Sequence, residues 1–175
     1  KLASSESGQV SVDCAGGSDV VVVTEAALPG GGLKTARKGV GSYLIKIHGK
    51  SAHSGVEPEK GIDAVDELSR KIREIRSLSM PEKGTTVTVT QVRGGTAMNV
   101  IAEYAEAVVD TRFTSQEEAD RVDQALRHLK PEVPGARLEV EGGIERYPMV
   151  KTDGSQELFA MAQEIAAELG FDLDD

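Results

Sequence analysis

The chain has 175 residues, 39% of them hydrophobic and 28% charged, a composition that supports a packed core and excludes a disordered chain. Its 29 acidic and 20 basic residues leave a net charge of -9, which disfavours a nucleic acid partner and provides no basic stripe for an anionic membrane. No apolar run approaches the roughly 20 residues of a bilayer span, no signal-peptide pattern opens the chain, and one cysteine, Cys14, rules out an internal disulfide or a thiolate metal cluster. We therefore expect a cytoplasmic protein. Lys1 starts in mid-pattern without a methionine, so a segment of something longer is expected.

Residues 18–24, SDVVVVT, are a continuous apolar run of strand length and predict a strand buried on both faces, ending at Glu25. The following AALPGGGLKTARKG has the Pro, Gly and basic content of a hinge. From Val40 to His48 apolar and polar residues alternate, with Tyr43, Ile45 and Ile47 on one face, which predicts a half-buried strand. Between Pro58 and Met80 the positions Ile62, Val65, Leu68, Ile72, Ile75 and Leu78 recur at helical spacing and are expected inward. Two strands follow, TTVTVTQV (85–92) and YAEAVVDTRF (104–113).

Ser115 and Glu118 predict a capping box opening a helix with Ala119, Val122, Leu126 and Leu129 inward, stopped by Pro131. ARLEVEG (136–142) predicts one more strand, and ERYPMVKT (145–152) a second linker. Asp153 is the expected cap of a last helix with Leu158, Met161, Ile165 and Leu169 inward and Gly170 at its end. The order β-α-β-β-α-β from 40 to 142 defines an α+β, ferredoxin-like split βαβ unit: an antiparallel sheet with both helices on one face. One strand and one helix that cannot bury a core by themselves flank it. The expected partition is 1–37 flanking strand and hinge, 38–143 ferredoxin-like domain, and 144–175 hinge and flanking helix.

Chemistry-bearing residues are few. Glu25 ends a buried strand, where open α/β sheets collect metal and ligand groups, although a solvated loop carboxylate fits the same position. His53 follows a strand and precedes a helix, a place for a neutral donor or for an ordinary surface histidine. RGGTAMN (93–99) lacks the GxxxxGK[ST] pattern of a phosphate cradle and reads as a long hairpin loop. Arg112 shares a strand face with Asp110 and Glu106, which allows a plain ion pair. His48 and His128 fall at structural surface positions.

Taken together, the string from TEAALPGGG through GKSAHSGVEPEKGIDAV, then GGTAMNVI, then AEAVVDTRF, resembles the dizinc metallopeptidases of the glutamate carboxypeptidase type, carboxypeptidase G-like enzymes among them. The resemblance covers nearly the whole chain, and its block G-K-x-A-H-x-G-x-x-P-x-x-G-x-(N/D)-A is specific. It implies an α/β catalytic zinc domain, to which the strand and hinge of 1–37 and the hinge and helix of 144–175 would belong, interrupted at 38–143 by a ferredoxin-like lid, also called the dimerisation domain. Glu25 matches a zinc ligand and His53 matches the lid histidine that reaches across the dimer to the substrate carbonyl. Asn99 and Arg112 match binders of substrate carbonyl or carboxylate. Ala26 and Ala102 depart from the pattern, standing where the family usually has proline. The upstream histidine and aspartates, the glutamate pair and the downstream histidine are absent.

The parent implied by this resemblance is a homodimeric hydrolase with two zinc ions, cleaving the amide of small peptides with C-terminal glutamate-like residues or of N-acyl amino acids. The segment alone is expected to bind no metal tightly and to be inactive. The alternative is a non-catalytic ferredoxin-like module serving dimerisation or small-molecule binding, since this fold hosts many functions.

Overall fold

Alternation fixes the first strand. In β1 (Gly39–His48) Tyr43, Ile45 and Ile47 are buried on one face, while Leu44, Lys46 and His48 are half-buried on the other. β1 pairs antiparallel with both β3 (Tyr104–Phe113) and β4 (Arg137–Arg146), and β3 pairs with β2 (Thr86–Gly94), so the sheet order is β2-β3-β1-β4. Two helices, α1 (Ala64–Arg76) and α2 (Gln116–Arg127), cover one face only, which is the ferredoxin-like arrangement the sequence order implies. This computed structural model describes residues 31–175; the expected strand 18–24 and Glu25 lie outside the described residues.

The core lies between sheet and helices. Ile45, Ile47, Val109 and Phe113 of the central strands meet Leu68 and Ile75 of α1 and Val122 and Leu126 of α2, while Ala105 and Ala107 let the helices approach closely. Tyr43 is buried with its hydroxyl donating to Asp123 at 3.0 Å; burial and then that carboxylate push its pKa above the usual tyrosine value. Ala119, Val122, Leu126 and Leu129 face inward as the sequence predicts.

Several expectations are corrected. Val65 is 43% exposed, because the buried stripe of α1 runs through Ala64, Glu67, Leu68, Lys71 and Ile75. Two charged residues therefore take places the apolar pattern assigned elsewhere. The Glu67 carboxylate accepts the backbone N–H groups of Glu132 at 2.9 Å and Val133 at 2.6 Å, and Lys71 bridges Glu74 at 2.6 Å and Glu132 at 2.9 Å. Burial opposes the charge of Lys71, but these carboxylates more than offset it and raise its pKa.

The box at Ser115 is half formed. The Ser115 hydroxyl accepts the Glu118 N–H at 3.2 Å, whereas the Glu118 side chain turns to Arg121, Thr85 and Lys83 instead of reaching back. α3 (Asp153–Glu168) is capped by Thr152 in a reciprocal pair with Ser155, not by Asp153. Its apolar stripe, Leu158, Met161, Ile165 and Leu169, is exposed among the described residues rather than inward. β4 runs four residues beyond the expected 142, through Gly142 and Gly143, and the β1–β4 register shifts between Val40 and Gly41. No helix among the described residues is long and apolar enough to cross a membrane.

Entry and exit of the chain meet at one end of the sheet. Arg37 and Met149 exchange backbone hydrogen bonds at 2.9 Å each, and Leu33 donates to the Asp174 carbonyl at 2.8 Å. Gly39 is required there: a Cβ would stand 2.8 Å from the Arg146 oxygen and the Pro148 nitrogen.

Candidate functional site

The β1–β3 pairing does not stop with the sheet. Past His48 and Tyr104 the two chains continue side by side: Gly49 donates to Glu103 at 2.8 Å, Ile101 to Ala52 at 2.9 Å and Ser54 to Asn99 at 3.0 Å, with a bridge between His53 and Val100. The segment then turns back. Lys50 and Ile62 exchange hydrogen bonds at 2.9 Å each, and Asp63 caps α1 by accepting from Val65 at 2.8 Å and Asp66 at 3.1 Å. The loop 49–63 thus carries His53 beyond the edge of the core while every turn of its backbone is tied down.

His53 and Asn99 are brought together by these hydrogen bonds, and both are exposed. The Nδ1 of His53 accepts the backbone N–H groups of Gly55 at 3.1 Å and Val56 at 3.2 Å. Met98, beside Asn99, is fully exposed.

Arg112 is not part of this group. It pairs with Val40 at the other end of β3, eight residues from Tyr104, which at ~3.4 Å per strand residue is about 27 Å away. That is the end where the chain enters and leaves. Its Nε and Nη2 donate to Asp110 at 3.0 and 2.8 Å, so the side-edge ion pair that the strand pattern allows is formed. Among the described residues nothing else engages the end of the guanidinium, so Nη1 with the outer hydrogen of Nη2 forms a second fork there.

The remaining histidines have structural partners. His48 stacks obliquely on Tyr104 at 5.4 Å, and His128 Nδ1 lies 2.7 Å from the Gln124 carbonyl oxygen. Tyr104 donates to Glu106 at 2.7 Å, and that bond, with some burial, pushes its pKa up to about 12. Two concave surfaces among the described residues, on the outer face of α2 near Asp120 and between Arg93 and Tyr104, contain none of His53, Asn99 or Arg112. Among the described residues no group of three His, Cys, Asp or Glu side chains is placed to hold a metal ion, and Glu25 lies outside them. The pairing of Arg112 with Asp110 is the same-face ion pair that the strand pattern predicts. Sequence reading missed the Gly55 and Val56 amides, which carry no side-chain signal at all.

A four-stranded antiparallel sheet in the order β2-β3-β1-β4, with two helices on one face, makes this a ferredoxin-like α+β domain. The chain belongs to the peptidase dimerisation domain family, whose model matches residues 35–133. It is similar to a probable carboxypeptidase of Trichophyton verrucosum, 32% identical over 165 residues, covering 78% of this chain and 35% of that protein. Carboxypeptidase G2 of Pseudomonas sp. is 26% identical over 110 residues, covering 62% of this chain and 26% of that one. Among solved structures, a tripeptidase of Staphylococcus aureus superposes with a TM-score of 0.65 at 22% identity, covering 86% of this chain and 40% of that one, and shares the fold. The chain spans about a third of the length of the curated relatives it matches.

Proposed function

We propose that the chain is the lid of a zinc-dependent amide hydrolase, a carboxypeptidase or N-acyl amino acid amidohydrolase, and that it supplies self-association and substrate contacts. The metal ions would be held by the catalytic part of the parent, with Glu25 as the one ligand from this chain. The observation that carries the reading is the polarity of the sheet. His53 and Asn99 project from the end farthest from the hinge, whereas Arg112 sits at the hinge. Arg112 lies about 27 Å along β3 from Tyr104, past which the His53 and Asn99 loops extend, so the three cannot all touch one small substrate from a single subunit. A two-fold dimer resolves this, since the far end of one lid then lies over the hinge side of its partner.

In such a site His53 donates a hydrogen bond to the scissile carbonyl and to the negative charge that develops on it. One donor of this kind is worth about 3 to 4 kcal/mol of barrier. The Asn99 amide adds a second polar contact from the same rigid unit. The free fork of Arg112 takes the terminal carboxylate, for which a planar guanidinium is better suited than an ammonium.

The test is hydrolysis of N-acyl amino acids and of dipeptides ending in glutamate by the full-length parent. Wild type should turn them over, and His53→Ala should lower kcat by about 100- to 1,000-fold. A parent with no amidase activity on either class, or a His53→Ala variant as active as wild type, would refute the reading.

A further inference from the structure

The His53 ring faces its own chain with one nitrogen only. Nδ1 receives the backbone N–H groups of Gly55 and Val56, whereas Nε2 has no partner among the described residues. A backbone amide can only donate, so Nδ1 must present its lone pair, and the single proton of the neutral ring sits on Nε2. The reverse tautomer would aim an N–H at two other N–H groups. The turn is held from both sides: Glu57 donates back to the His53 carbonyl at 3.3 Å, and Ser54 is engaged by Asn99.

We propose that Gly55 and Val56 are positioning residues which fix His53 as the Nε2–H tautomer. The ring then serves as a hydrogen-bond donor toward a carbonyl or oxyanion and is denied the Nε2 lone pair that a general base or a metal ligand requires. This deepens the proposed function and rests on it for the identity of the acceptor, but the tautomer itself is independent of any activity. The side chain at position 55 is not what matters: a Cβ on Gly55 would lie 3.8 Å from Cε1 and 3.9 Å from Nδ1, an ordinary contact. Gly55→Ala keeps the amide and should keep the tautomer.

Long-range proton–nitrogen correlation on the histidine-labelled chain tests this, with the His53 signals assigned by their loss in His53→Gln. At neutral pH the folded chain should show one tautomer, with Nδ1 unprotonated and Nε2 protonated, and in urea the signals should move toward the averaged mixture of a free histidine. The Gly55 and Val56 amide protons should shift in His53→Ala. A proton on Nδ1, or the same averaged signals in folded and unfolded chain, would overturn the proposal.

A second arm uses the full-length parent. Glutamine places its amide nitrogen where Nε2 lies, and asparagine places it near Nδ1. His53→Asn should lose about 100- to 1,000-fold in kcat, with His53→Gln at least tenfold more active than His53→Asn. Equal loss in both, with the tautomer intact by resonance, would remove the donor role and leave the tautomer assignment standing.

Discussion

The carbonyl of Asn99 accepts the backbone N–H of Ser54 at 3.0 Å, and through that bond the loop bearing His53 and the loop bearing Asn99 become one body. The unit is closed at its base by Gly49, where a Cβ would stand 2.0 Å from the Ile62 oxygen. Gly49→Ala should therefore pry the loop from its return strand, costing about 1 to 3 kcal/mol as overpacking does. Hydrogen exchange checks it: the Ser54 and Ile101 amides should lose protection before those of β1. Protection retained at both would mean that the two loops are held by something other than this backbone pairing.

Arg112 offers its outer fork only because Asp110 holds the inner edge. In the full-length parent, Arg112→Lys keeps the charge and loses the fork, so KM should rise by about tenfold for substrates with a free carboxylate and change little for their amidated analogues. Asp110→Asn should act in the same direction more weakly, through orientation rather than charge. Equal effects on both substrate types would reduce Arg112 to a surface ion pair.

Strand alternation at Tyr43, Ile45 and Ile47, and again at Ala105, Ala107 and Val109, made the sheet legible, because burial on one face imposes a period of two. The helix α2 was legible for the same reason at its own period. What sequence could not supply was anything resting on charge in the core: Glu67 is buried because two backbone amides of the 130–136 turn need an acceptor, and the chain does not announce which turn will arrive there. At the site, His53 and Asn99 could be named from motif spacing, but the backbone bonds that join them, and the separation from Arg112, are properties of the register alone. The apolar stripe of α3 was read correctly as a stripe; its exposure among the described residues is a fact of packing, not of pattern.

Glu118 ties α2 to the turn before β2. Its carboxyl is almost fully buried, and hydrogen bonds from Arg121, then from Thr85 and Lys83, outweigh burial and hold its pKa down from 4.5 to about 2. A depressed folded-state pKa contributes stability that is complete above the unfolded value and fades as pH falls through the folded one. Wild type should thus lose its advantage over Glu118→Gln progressively between about pH 4.5 and pH 2. Urea midpoints of the two proteins across that range measure it, and a constant gap between them would show that this carboxylate is not what the three donors stabilise.

The two sheet edges differ in charge. β4 carries Arg137, Glu139, Glu141, Glu145 and Arg146, the kind of protection that discourages strand addition, whereas β2 is Thr-rich with Arg93 as its one charge. Self-association should use the β2 edge, with α1 beside it. Near a two-fold axis a residue meets its own copy, so Thr88→Lys or Thr90→Lys should place like charges against each other and raise the dimer dissociation constant by about tenfold or more. Sedimentation of the chain and both variants decides it; variants that associate as wild type does would move the interface elsewhere.

The distance between His53 and Arg112 permits a test of which subunit serves which site. Full-length His53→Ala and Arg112→Ala homodimers should each be impaired in both of their sites. Suppose each site takes Arg112 from its own subunit and His53 from the partner. A mixed dimer then has one site with both residues intact and one with both missing. Random exchange makes about half of the dimers mixed, each with one working site of two, so activity should recover to roughly a quarter of wild type. If both residues came from one subunit, every site in the mixed dimer would lack one of them and no recovery would follow. Labelled subunits must be shown to exchange under the same conditions; exchange without recovery rejects the shared site and, with it, the function assigned to the sheet's polarity.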